Sequence, residues 1–276
     1  MVESSSPGDL GVAVAQFAPG TDPSVNLAQM RTLAQTARSR GARLVVFPEY
    51  SSFFEGALGE ASLAAAEELD GPFVTALARL AVDLDLHIVA GLLESSPDPT
   101  RVQNTIVAID PTGGIVARYR KLHLYDAFGS RESDRVRAGA IEAPETFQVA
   151  GFTVGLQTCY DIRFPEVTRR LVDAGADLVL VPAEWVPGPL KEQHWRTLVT
   201  ARALENTIYL AAADHAPPGG VGASMVVDPM GVELATLGVT TDVALAWISH
   251  TRLAEVRRIN PALALRRFGV VPVPED

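Results

Sequence analysis

The chain repeats itself once. TVGLQT at 153–158 echoes VAVAQF at 12–17, and GADLVLVPAE at 175–184 echoes GARLVVFPEY at 41–50. IYLAAA (208–213) corresponds to HIVAGL (87–92), and ASMVVDPMGVELATL (223–237) to NTIVAIDPTGGIVARY (104–119). Matches that recur in one order constrain the fold more than any other property of the sequence. The period is too long for a solenoid, so two related halves are expected, joined near 126–150. Within each half, apolar runs of strand length alternate with segments of helical spacing. Over 24–40, Leu27, Met30, Leu33 and Ala37 share one face, and Gly41 stops the helix. Gly71-Pro72 opens a second helix over 72–85, and PEVTRRLVDAG (165–175) reads as another. Strands are expected at 11–17, 42–47, 87–94 and 102–110. A PTGG turn then leads into a hairpin partner over 115–122. A short helix is expected at 251–260, and the apolar tail RRFGVVPVP (266–274) is not expected to pack locally. Apolar strands need cover on both faces. The expectation is a four-layer α-β-β-α sandwich of two pseudo-symmetric α/β halves, with sheets face to face and helices outside. No flexible linker interrupts it, so 1–276 reads as a single domain.

Charge and composition narrow the function. The net charge is -10, from 23 basic and 33 acidic side chains. That argues against a nucleic-acid or anionic-membrane surface, since both need a basic face. Apolar runs such as IYLAAA and VALAWI are far short of the ~20 residues of a membrane span. The N-terminus MVESSSPGDL has neither the basic nor the apolar region of a signal peptide. One cysteine, Cys159, cannot form an internal disulfide, which fits a reducing, cytoplasmic setting. The five histidines show no HExxH or paired spacing, so neither a metal nor another cofactor is expected.

The chemically distinct residues fall at strand ends, where open α/β sheets bind ligands. Glu49 ends the second strand of the first half, Lys121 ends that half's last strand, and Cys159 ends the first strand of the second half. Singly, each has an ordinary explanation: a buried small apolar residue, a solvated cation, a helix-start acid. Converging on one crevice, they suit acyl transfer. A thiolate attacks a carbonyl carbon, a carboxylate moves the proton, and a cation meets the oxyanion. A dyad of His123 with Cys159 competes with this reading but explains fewer residues.

FPEY (47–50), YRKLHL (119–124) and CYDIRFPE (159–166), in this order, resemble the nitrilase superfamily of carbon–nitrogen hydrolases. RESD (131–134), HW (194–195), ARALEN (201–206) and SMVVDPMG (224–231) extend the resemblance across almost the whole chain. The resemblance implies the α-β-β-α sandwich and a Glu-Lys-Cys catalytic set. It implies Glu49 as general base, Lys121 as oxyanion-stabilising lysine and Cys159 as nucleophile. Glu132 would hold the lysine or the substrate, and the Tyr160 backbone N–H would be a second oxyanion donor. The implied activity is hydrolysis of a small linear carboxamide, closest to the ω-amidase and deaminated-glutathione amidase branch. N-carbamoyl amino acid hydrolysis, nitrile hydrolysis and a non-catalytic binding role on the same fold are the alternatives. A homodimer or larger homo-oligomer is also implied. Tyr50, Glu184 and Trp185 are candidates for substrate contact. The internal echo aligns Glu184 with Tyr50, which puts an acid at a strand end near the cleft. There it would meet an amino group or order Glu132, with Arg163 as a cation that could screen it.

Overall fold

The computed structural model describes residues 9–273. The N-terminal segment read for a signal peptide therefore lies mostly outside the described residues, as does the last residue of the apolar tail. Among the described residues, twelve strands form two six-stranded sheets. The first has the order β12-β1-β2-β3-β4-β5. Its strands are β1 (Leu10–Gln16), β2 (Leu44–Val46), β3 (His87–Ser95), β4 (Val102–Ile109), β5 (Ile115–Arg120) and β12 (Asp242–Ile248). The second has the order β11-β10-β9-β8-β7-β6. Its strands are β6 (Thr146–Val149), β7 (Phe152–Leu156), β8 (Leu178–Ala183), β9 (Tyr209–Asp214), β10 (Met225–Val227) and β11 (Glu233–Thr236).

The two sheets share one pairing scheme. β1, β2 and β3 run parallel, and so do β7, β8 and β9. Antiparallel hairpins then extend each sheet outward. On the other flank, an antiparallel edge strand closes each sheet. β6 pairs with β7, Phe147 opposite Val154, and β12 pairs with β1, Ala246 opposite Val12. The exchange is reciprocal. The strand that follows the first half's hairpin joins the second sheet, and the strand that follows the second half's hairpin joins the first.

Period-two alternation builds the layers. Leu10, Val12 and Val14 point between the sheets, against Phe152, Val154, Leu178 and Leu180. Ala13 and Ala15 point outward onto α1 (Pro23–Ser39) and α3 (Pro72–Leu84), where Met30, Leu33, Phe73, Leu77 and Leu80 wait. On the far side, Val179, Val181, Leu210 and Ala212 pack under α4 (Pro165–Asp173) and α5 (Lys191–Asn206), with Leu171, Trp195, Val199 and Ala203. The order is therefore helices, sheet, sheet, helices, the expected sandwich. Leu27 of α1 is only partly buried, while Met30, Leu33 and Ala37 are fully in the core. The helix ends as expected, with Arg40 as cap and Gly41 at φ 96°. A short helix, α2 (Glu60–Ala64), interrupts the segment after β2, and α6 (His250–Ile259) follows β12. The tail is exposed: Phe268, Val271 and Val273 are 93%, 81% and 82% exposed. No helix among the described residues is long and apolar enough to cross a membrane.

Candidate active site

The strand ends of both halves meet at one cavity of about 430 Å³. Its wall includes Tyr50, Lys121, Glu132, Cys159 and Glu184. Glu49 lies beneath this wall, fully buried at the end of β2. Its Oε1 accepts hydrogen bonds from Lys121 Nζ at 2.9 Å and Asn104 Nδ2 at 2.5 Å. Its Oε2 accepts the backbone N–H of Glu184 at 2.7 Å. The Cys159 thiol donates to the carbonyl of that same Glu184 at 3.3 Å. One peptide segment after β8 therefore touches both the carboxylate and the thiol.

Two residues at this site hold left-handed backbone that side chains rarely adopt. Tyr50 has φ 54° and Cys159 has φ 43°. Strain of this kind persists only where the surroundings over-determine it. Cys159 opens a 3-10 turn (Cys159–Arg163) directly after β7. The Tyr160 N–H belongs to the first turn of that segment, where donors lack intrahelical partners. β3 supplies the other close approach. At Gly91 a Cβ would fall 2.7 Å from both Glu49 Cα and Tyr50 N, so only glycine lets this strand pass.

Lys121 is 2% exposed and lies between two carboxylates, 2.9 Å from Glu49 Oε1 and 2.9 Å from Glu132 Oε2. Burial works against its charge, but Glu132 and Glu49 outweigh this and hold it well above the usual lysine range. Glu132 also accepts Tyr50 Oη at 2.5 Å and the Tyr125 N–H at 2.6 Å. Burial would raise its pKa, yet Lys121 and these donors shift it downward on balance. Burial raises Glu49 instead, with Lys121 opposing. The two carboxyls are thus pushed apart, one toward permanent charge and one toward proton exchange. Burial and Glu49 push the Cys159 thiol well above its usual range, so it rests protonated. The arrangement is a neutral thiol beside a carboxyl able to take its proton, with a fixed ammonium adjacent.

Other candidates fall elsewhere. Trp185 is 2% exposed and does not line the cavity. Its indole packs 5.2 Å from Trp195 and donates to the Lys191 carbonyl at 2.8 Å, so it is a core residue rather than a substrate contact. The Glu184 carboxyl makes no hydrogen bond to Glu132, so it does not order that residue. Arg163 sits over the Trp185 ring at 4.9 Å, away from the Glu184 carboxyl's wall. His123 is bound to Asp161, its Nδ1 2.8 Å from Oδ1, and stacks on Phe164. It does not line the cavity, and the Cys-His dyad is not formed. No group of three His, Cys, Asp or Glu among the described residues is arranged to hold a metal ion. Sequence reasoning missed Asn104, whose amide bridges Glu49 and Glu132; a lone asparagine inside the apolar strand VQNTIVAI was its signal. It also missed Tyr125, which carries no such mark.

Residues 11–258 match the family model for carbon-nitrogen hydrolases. The chain belongs to the carbon–nitrogen hydrolase family. This hydrolase is 38% identical over 264 residues to the deaminated glutathione amidase of Escherichia coli O157:H7, covering 94% of this chain and 97% of that one. Its fold superposes on the NitFhit protein of C. elegans with a TM-score of 0.85 and 29% identity, over 95% of this chain and 66% of that one. It also resembles a glutamate-to-glutamine mutant of the amidase from Nesterenkonia sp. AN1, with TM-score 0.74 and 28% identity, over 93% of this chain and 97% of that one. In that structure the acetamide moiety of fluoroacetamide is covalently added at the active-site cysteine. The carbon–nitrogen hydrolase is thus an enzyme with amidases among its relatives, and the sandwich is their common fold.

Proposed function

We propose that this hydrolase is a cysteine-dependent amidase that converts a small linear carboxamide to its acid and ammonia. The observation that carries the reading is Glu49, whose two oxygens are held by Lys121 and by the Glu184 N–H while the Glu184 carbonyl holds the thiol. As substrate enters, Glu49 takes the thiol proton and the Cys159 sulfur attacks the amide carbon. Lys121 and the Tyr160 N–H meet the oxyanion. Glu49 then passes its proton to the departing nitrogen, ammonia leaves, and a thioester remains on Cys159. Glu49 next deprotonates a water, which attacks the thioester; collapse releases the acid and returns the proton to sulfur. Glu132 fixes Lys121 throughout. A free thiol nucleophile suits a cytoplasmic setting. A homodimer or larger assembly is part of the proposal, because the apolar tail needs cover.

The test is Cys159→Ala. Ammonia release from a panel of short amides should vanish, with the thermal transition within a few degrees of wild type. Intact-mass measurement of wild type with fluoroacetamide should find one adduct, mapped to Cys159. Wild-type turnover by the alanine variant rejects the mechanism.

A further inference from the structure

The chemistry above leaves the Glu184 carboxyl without a task. Its backbone is engaged on both sides, the N–H on Glu49 and the carbonyl on Cys159. This fixes its Cα beside both reacting groups and sets the side chain on the cavity wall. The carboxyl itself takes no hydrogen bond or ion pair from the described residues. Glu132, by contrast, is saturated by Tyr50, Asn104, Lys121 and Tyr125.

The charges around the cavity are not balanced. Glu49, Glu132 and Glu184 surround the ammonium of Lys121, which already pairs with the first two. The rim arginines are taken: Arg131 pairs with Asp134 at 3.7 Å, and Arg135 with Glu60 at 2.9 Å. Lys191 attracts the Glu184 carboxyl and the Cys159 sulfur from a distance, but its ammonium contacts neither: it donates to the Tyr125 hydroxyl at 2.7 Å and lies over the Phe128 ring, outside the cavity wall. Burial, with Glu49 and Asp214 nearby, pushes the Glu184 carboxyl well above the usual carboxylate range. An arriving cation relieves that penalty, whereas an arriving carboxylate adds to it.

Building on the amidase reading, we infer that Glu184 is a specificity-determining residue that binds a protonated amine of the substrate. The favoured substrates are then short carboxamides that carry an ammonium group a few bonds from the reacting carbonyl. The closeness follows from the Glu184 main chain, which touches the nucleophile itself.

β-Alaninamide and butyramide have the same length and shape and differ by an ammonium in place of a methyl. Wild type should prefer β-alaninamide by at least about tenfold in kcat/KM, mainly through KM, since a charge-assisted contact is worth that much. Glu184→Gln keeps the shape and should lower this ratio about tenfold or more. Glu184→Ala should do the same, because the main-chain bonds to Glu49 and Cys159 survive either change. Glu184→Ser should raise the relative rate on succinamate. Titration of Cys159→Ala with both amides gives an arm that needs no turnover: β-alaninamide should bind at least about tenfold tighter, and the Cys159→Ala, Glu184→Gln double variant should lose the difference. An ammonium preference in the titrations without hydrolysis of any amide sinks the amidase reading and leaves this one standing. Hydrolysis with a ratio unchanged by Glu184→Gln, or a wild-type preference for succinamate, overturns this one alone.

Discussion

At the scale of single residues, the site separates two carboxyls that are alike on paper. Glu49 and Glu132 both touch Lys121 and burial weighs most on each, yet it prevails at Glu49, whereas at Glu132 Lys121 and the hydrogen-bond donors together outweigh it. Glu49→Gln keeps the shape but cannot take a proton, and both halves of the proposed reaction need that step. A loss of about 10²–10⁴-fold in kcat is expected. Lys121→Ala removes the proposed oxyanion partner and should cost about 10²–10³-fold. Iodoacetamide separates the two routes without substrate. Because the thiol rests protonated, alkylation of wild-type Cys159 should keep rising with pH beyond the range of an ordinary cysteine. It should slow in Glu49→Gln, which lacks the acceptor. Full activity in both variants means that the trio does not act together.

At the scale of elements, the site depends on how closely β3 passes the end of β2. Gly91→Ala places a methyl 2.7 Å from backbone atoms of Glu49 and Tyr50, which cannot swing aside as a side chain would. The expected cost is about 1–3 kcal/mol in stability, with a fall in kcat as Glu49 shifts. Gly238→Ala, where a Cβ meets nothing within 4 Å, is the control, and thermal melts of the pair measure the difference. The strands around Glu49 were legible in the sequence because their apolar runs are long and end at glycine or proline. The helix α5 was not legible by spacing. Its buried face includes Lys191, Arg202 and Asn206, polar groups that only tertiary partners make acceptable there. β6 was equally hidden, four residues with one exposed glutamine after a polar stretch. The trio of Glu49, Lys121 and Cys159 could be read from motifs. Asn104 and Tyr125, which hold Glu49 and Glu132, could not be assigned, since their partners are distant in the chain. Trp185 was misplaced for the converse reason: its neighbour Glu184 lines the cavity, and the next residue along a strand end faces the other way.

At the scale of the whole molecule, the tail stands out. Leu265, Phe268, Val271 and Val273 are each more than two-thirds exposed, an apolar run that a lone subunit leaves in water. A second copy can cover it, and a stable contact of that kind buries at least about 1,000 Å². Light scattering at micromolar concentration should give about twice the subunit mass of 29.4 kDa or more. Truncation after Ala264 should shift the mass toward the single subunit. A mass near 29.4 kDa for the full chain at all concentrations rejects assembly.

The reciprocal edge strands carry a consequence for how the chain leaves the ribosome. Among the described residues β1 is made before every other strand, and β12, which pairs with one of its two edges, after all of them. Throughout synthesis that edge of β1 stays open, a row of unpaired donors and acceptors on an apolar strand. The second sheet has no such wait, because β6 emerges just ahead of β7. The nascent first half is therefore the stretch most exposed to wrong pairing, and chaperone dependence should concentrate there. Nor can the first half be excised as a free-standing module, since it would leave behind β12, the strand that closes its sheet.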